Sequence, residues 1–280
     1  MVYCLSDFLN NYRSLLQSTK TGHLKMTAVH SFQTLFAVHM TCDSCVKAVS
    51  DSLYQLKGIT KVDANLKDQL VSVEGTAAPS AIVDAIQATG RDAILRGSGA
   101  SNSAAVSILE SFYQPSEVSS TETPDDGRKR EVRGLARMVQ VSPTTTLIDL
   151  TVRGVTPGTY QATIRSSGDL HDGAASTGGI WTEGEKEGAP KGELGRFTVD
   201  KDGKASAFLN HPFHIWEIIG RAMVVSKQDD AAAPLKNDAD TLVGVVARSA
   251  GMWDNDKTVC SCTGKTLWEE RQDEVKKGML

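Results

Sequence analysis

Four of the five cysteines in this chain fall into two close pairs. Cys42 and Cys45 stand in the run Met40-Thr41-Cys42-Asp43-Ser44-Cys45, and Cys260 and Cys262 flank Ser261 near the C-terminal end. A thiolate is both a ligand for soft metals and a nucleophile toward disulfides. Pairs this close therefore suit two chemistries: sharing one soft cation, or exchanging disulfide bonds. A single residue between Cys260 and Cys262 is too little for a relaxed ring, so a disulfide there would be strained and readily exchanged.

The elements around the first pair are legible. Phe32–Val38 reads as a strand. Val46, Val49, Leu53 and Leu56 are spaced three, four and three apart, one face of a helix that Gly58 ends. Ile59–Leu66 and Leu70–Val73 read as strands joined by Lys67-Asp68-Gln69. Pro79 and Ser80 open a second helix carrying Ile82, Ala85, Ile86 and Thr89, closed by Gly90, and Arg91–Leu95 reads as a last strand. The order βαββαβ is the ferredoxin-like split unit. Cys42 and Cys45 fall between its first strand and first helix, with Cys45 in the first helical turn. The positive end of the helix dipole lowers a thiol pKa there. Two low-pKa thiolates suit Cu(I), and a two-ligand site leaves the ion open to a third thiolate, as a carrier requires. By themselves, half of a zinc site and a redox pair remain open readings of a C-x-x-C.

Small polar residues at 98–103 read as a flexible linker. Beyond it the period changes. Ala105–Leu109, Val132–Gln140, Thr145–Val152, Tyr160–Arg165, Glu193–Val199, Ala205–Leu209, Met223–Ser226 and Thr241–Ala247 read as strands between Gly- and Asp-rich turns. This spacing predicts a β-sandwich or flattened barrel over 104–250. Pro115–Arg130 reads as a polar loop. In the segment 251–280, Leu267-Trp268-Glu269-Glu270-Arg271 opens a short helix or belongs to a mobile tail.

At 280 residues the chain is long enough for two domains. A net charge of -4 offers no basic field for nucleic acid, and no apolar run approaches a membrane span. Residues 1–30, with Cys4, read as a disordered extension; Arg13, Lys20 and Lys25 leave an organellar presequence as an alternative, and Met26 an internal start. The cysteine pattern is not a secreted disulfide framework, so a reducing compartment is expected, chiefly the cytoplasm. The mitochondrial intermembrane space and the nucleus are further candidates.

Within a βαββαβ unit, Met40-Thr41-Cys42-Asp43-Ser44-Cys45 resembles the metal-binding loop of heavy-metal-associated domains, over 31–97. Ile218-Ile219-Gly220-Arg221-Ala222-Met223-Val224-Val225 resembles a hallmark of copper/zinc superoxide dismutases. So do Leu194-Gly195 before Asp200-Lys201-Asp202-Gly203, and Gly168-Asp169 ahead of Ser176-Thr177-Gly178-Gly179. That resemblance implies a Greek-key sandwich. It does not carry over the metals: Thr163, Arg165, Ile180 and Ser226 match positions of the family's copper histidines, and Glu193 alone matches a zinc-ligand position. Residues 46–259 hold no cysteine for the family's internal disulfide. Copper redox cycling needs nitrogen ligands, so dismutase activity is not expected, nor is zinc. His211 and His214 have a metal-pair spacing but Pro212 lies between them, and they read as surface or loop histidines.

The run Val259–Thr266 with Trp268-Glu269-Glu270-Arg271 resembles the C-terminal segment of the copper chaperones of superoxide dismutase, chiefly fungal ones. The implied fold is α+β: a heavy-metal-associated domain, a dismutase-like sandwich and a C-terminal tail. The resemblance implies Cu(I) on Cys42 and Cys45, with Cys260 and Cys262 assisting copper delivery and thiol exchange on the target. It implies docking on immature Cu/Zn superoxide dismutase as a heterodimer through Gly168, Asp169, Ile219, Gly220, Val246 and Gly251. The same face could serve a homodimer. A thiol–disulfide oxidoreductase acting through Cys260 and Cys262, with incidental copper binding, is the alternative.

Overall fold

The computed structural model describes residues 30–113, 131–183, 190–228, 234–252, 254 and 264–276. The first unit runs β1 (Phe32–Val38), α1 (Asp43–Tyr54), β2 (Ile59–Asn65), β3 (Leu70–Gly75), α2 (Pro79–Gln87) and β4 (Ala93–Ser98). Its sheet has the order β2-β3-β1-β4, with antiparallel neighbours. Val49 and Leu53 of α1 and Ile82 and Ile86 of α2 pack on Phe36, Val38, Val71 and Val73 of the sheet. The helical spacing and the period-two alternation thus meet in one core. The last strand starts at Ala93, later than the sequence suggests, because Arg91 and Asp92 lead out of the turn at Gly90.

The second unit carries β5 (Ala104–Ser111), β6 (Glu131–Ser142), β7 (Thr145–Val152), β8 (Gly158–Ile164), β9 (Glu193–Val199), β10 (Ala205–His211), the short helix α3 (Ile215–Ile218), β11 (Ala222–Ser226), β12 (Leu242–Val245) and β13 (Ala247–Ser249). The strands follow the order β10-β7-β6-β5-β12-β11-β8-β9, with β13 also on β5. Leu109, Ile148, Leu150, Ile164, Met223, Val225 and Phe213 fill the space they enclose. A crossover such as β5 beside β12 is what a Greek-key sandwich requires. The polar loop expected at Pro115–Arg130 falls outside the described residues; β5 and β6, on either side of it, pair directly.

The connection at 98–103 is not the flexible linker its composition suggests. The Gly99 N–H donates to Gln33 O at 2.8 Å, Met252 N–H to Gly99 O at 2.9 Å and Ser98 N–H to Ala250 O at 3.3 Å. A side chain on Gly97 would stand 2.1 Å from Gly251 O, so only glycine permits this approach. Phe32 of the first unit is buried with Val139 and Leu147 of the second. Asp149 of β7 accepts from the Ser80 N–H at 2.8 Å and the Ser80 hydroxyl at 2.6 Å at the start of α2. The small residues serve close packing here rather than freedom.

The C-terminal helix α4 (Leu267–Lys276) forms, and Thr266 and Glu269 cap it reciprocally. No described helix is long and apolar enough to cross a membrane.

Candidate metal centre

Cys42 is the N-cap residue of α1, with extended backbone, and its carbonyl accepts from Cys45 N–H at 2.9 Å and Val46 N–H at 3.3 Å. Starting the helix there turns both sulfurs to the same side: Cys42 Sγ and Cys45 Sγ are 3.5 Å apart. Cys42 is exposed and Cys45 buried. One sulfur thus faces an incoming ion while the other is held by the domain. The separation is longer than a disulfide bond and suits two thiolates closing on one soft ion.

The Thr41 hydroxyl lies 3.5 Å from Cys45 Sγ. That contact, then the Thr41 backbone, Arg91 and Cys42, pull the Cys45 thiol from 9.0 down to about 5. Cys45 is covered by its immediate neighbours yet lies at the domain's edge, so desolvation opposes the drop only weakly. The thiolate is therefore ready at neutral pH. Gln69, in the β2–β3 turn, holds the Met40 peptide just ahead of the pair. Neither Arg91 nor Gln69 stands out in the sequence as a site residue; both come from turns that only the folded sheet brings to the loop. Among the described residues no group of three or more His, Cys, Asp and Glu could hold a metal, so this centre offers two sulfurs. Cys260 and Cys262 lie outside the described residues, as does Cys4.

In the sandwich, Thr163, Arg165, Ile180 and Ser226 line one small pocket together with Gln161 and Gln228. These are the four positions matched above to copper histidines, and the fold does bring them together. Arg165 is buried at 2% exposure, and its Nε donates to Gly178 O at 3.0 Å. The pocket thus carries a buried guanidinium, whose positive charge opposes a metal cation there. Glu193 is exposed and accepts from Gln161 Nε2 at 3.1 Å. His211, at the end of β10, and His214, in the loop that follows it, are both half-buried: His211 Nε2 lies 2.9 Å from Leu194 O, and His214 Nδ1 3.0 Å from Gln140 Nε2.

Comparison with known proteins bears on both units. Residues 34–92 match the heavy-metal-associated domain, and residues 132–247 the copper/zinc superoxide dismutase family. The chain is 45% identical over 261 residues to the superoxide dismutase 1 copper chaperone of Debaryomyces hansenii, covering 89% of this chain and 98% of that one. The chain belongs to the copper chaperones for superoxide dismutase. The Saccharomyces cerevisiae chaperone is 39% identical, covering 89% of this chain and 97% of that one. The human copper chaperone for superoxide dismutase is 34% identical, covering 84% and 88%. Membership supports copper as the metal of the first domain, and the relatives are named as chaperones rather than as enzymes.

The chaperone's expected docking residues separate into two places. Gly168 and Gly220 touch: a side chain on Gly168 would stand 2.0 Å from Gly220 O. Gly220 N–H donates to Val246 O at 2.9 Å, Ile219 is half-buried, and Asp169 is exposed with its carboxylate 2.8 Å from His171 Nδ1. Val246, however, is fully buried in the core, so its side chain is unavailable to a partner. Strand alternation turns Val245 outward instead, at 38% exposure, beside Ile108 of β5 at 53%. Gly251 is buried against Gly97 and Ala100, at the junction of the two units rather than with Gly168 and Gly220.

Proposed function

We propose that this chaperone carries Cu(I) on Cys42 and Cys45, docks on immature Cu/Zn superoxide dismutase and delivers the ion with help from Cys260 and Cys262. The observation that carries the reading is the pair of sulfurs 3.5 Å apart, one exposed and one buried. Two thiolates hold Cu(I) without closing its coordination, so a third thiolate can enter before either leaves. Transfer then proceeds by ligand exchange, and the ion is never free in solution.

The docking face is the exposed patch of Ile108, Val245, Gly220 and Asp169. Arg165 argues against resident zinc or copper in the sandwich, which leaves that domain a recognition role. The tail pair would also form the target's internal disulfide. One target thiolate attacks a Cys260–Cys262 disulfide and releases a thiolate; the second target thiolate resolves the mixed disulfide. Two electrons pass to the chaperone. Dioxygen re-forms its bond, taking up two electrons and two protons as hydrogen peroxide. Work of this kind needs reduced thiols at Cys42 and Cys45, which fits the cytoplasm.

The test is activation of copper-free dismutase with limiting Cu(I), under air and under nitrogen. The Cys42→Ser/Cys45→Ser variant should fail to load copper, and Cys260→Ser/Cys262→Ser should load it but activate poorly. Activation by the latter equal to the unaltered chain would sink the role of the tail. Oxidation of the target by copper-free chaperone alone would favour an oxidoreductase.

A further inference from the structure

The helix α4 is highly charged, yet it does not stand free of the protein. The Trp268 ring meets His39 edge-on, with centroids 6.1 Å apart and planes at 74°. One turn on, Arg271 Nε lies 3.3 Å from Asp92 Oδ1, and the Arg271 side chain is 12% exposed. Both contacts end on residues next to the copper loop or to its partners. His39 directly precedes Met40-Thr41-Cys42, and Asp92 follows Arg91, which bonds to the Cys45 thiolate. The helix is built to have a fixed start, since the Thr266–Glu269 cap closes its first turn.

We propose that α4 is a docking element that clips the chaperone's C-terminal end onto the copper domain of the same chain, with Trp268 and Arg271 as positioning residues. The two contacts are of different kinds, one aromatic and one ionic, and they hold the helix at two points three residues apart. Cys262 stands four residues ahead of Thr266, a distance the covalent chain limits to about 14 Å. A docked helix therefore keeps the tail pair in the neighbourhood of the first pair at a high effective concentration. This consequence for copper rests on the function proposed above; the docking itself does not.

Backbone amide exchange in the full-length chaperone tests it. Arg271→Glu should speed exchange across 268–273 about fivefold, the effect of losing a part-buried ion pair. Trp268→Ala should speed it further. Adding Asp92→Arg to Arg271→Glu should restore slow exchange, which a general loss of helix would not allow. Cu(I) affinity at Cys42 and Cys45 should hold, while the rate of copper transfer to dismutase falls in the single variants and recovers in the charge swap. Exchange unchanged by both single variants, or no recovery in the swap, overturns the docking. Exchange that responds in a chaperone that transfers no copper upholds the docking and overturns the functional reading instead.

Discussion

Gln69 grips the Met40 peptide from both sides: its Oε1 accepts from the Met40 N–H at 3.0 Å, and its Nε2 donates to Met40 O at 2.5 Å. Met40 is itself buried at 1% exposure, so its backbone groups have no ready access to water. The β2–β3 turn thereby sets the position of the strand end from which Thr41 and Cys42 project. Gln69 holds this place in the left-handed region, at φ 58.

Replacing Gln69 should therefore loosen the copper loop. Gln69→Ala leaves two buried backbone groups unpaired and keeps the left-handed strain, costing about 2 kcal/mol. Gln69→Gly loses the same bonds but relieves the strain, and should cost less. Both should show faster amide exchange at Met40 and weaker Cu(I) retention against a thiol competitor. Equal stability and retention in both variants would deny Gln69 its positioning role.

The Cys45 thiolate gives a pH dependence with a definite sign. Its folded pKa, about 5, lies below the ordinary 9.0. The folded form thus binds the proton less readily than the unfolded one. The stability contributed by Cys45 is full above about pH 9, and falls as pH drops toward and through 5. Titration of thiolate ultraviolet absorbance in the metal-free protein should show a step near 5. Thr41→Val removes the largest cause of the shift and should move that step upward. Copper retention should weaken as the pH falls below that step, because protons compete for the sulfur.

Much of this was open to sequence reading because periodicity and local turn chemistry fix it. Val46, Val49 and Leu53 declare the α1 face, and Thr145–Val152 is a strand in both readings. The Cys42 and Cys45 pair declares its chemistry by spacing. What stayed hidden depends on distant pairing. Gln69 and Arg91 reach the loop only once the hairpin and the last turn have folded against it. The stretch 98–103 looked free because its small residues carry no periodicity, while their use is the close approach of Gly97 to Gly251. Val245 and Val246 are chemically alike, and one residue of register decides which faces out.

Asp149 makes the relative placement of the two units testable. It is 1% exposed, and besides Ser80 it faces Arg137 at 3.7 Å. Burial raises its carboxyl pKa, and Arg137 and the Ser80 donors offset part of that. Asp149→Ala would leave Arg137 without this partner and free the start of α2, at a cost of about 3 kcal/mol. Ser80→Ala removes one hydroxyl bond and should cost about 1 kcal/mol. Small-angle scattering should then show the copper domain released from the sandwich in Asp149→Ala, with its own fold intact by circular dichroism. An unchanged scattering profile would mean that Phe32 and the Gly97–Gly251 contact suffice to hold it.

The neighbouring valines Val245 and Val246 separate docking from folding. Val245 is on the outer face beside Ile108, and Val246 is fully buried among the sandwich core residues. A carboxylate at Val245 remains solvated in the free chaperone, so Val245→Asp should melt close to the unaltered protein. It would be buried on association, where an unpaired charge costs several kcal/mol. The heterodimer with immature dismutase should therefore be lost in sedimentation, and copper delivery with it. Val246→Asp puts the same charge into the core and should lower stability before any partner is met. Ile108→Asp should behave as Val245→Asp does, because both side chains share one face. If Val245→Asp and Ile108→Asp form the heterodimer as readily as the unaltered chain, the partner sits elsewhere, and the exposed Trp216 beside His214 becomes the next surface to test.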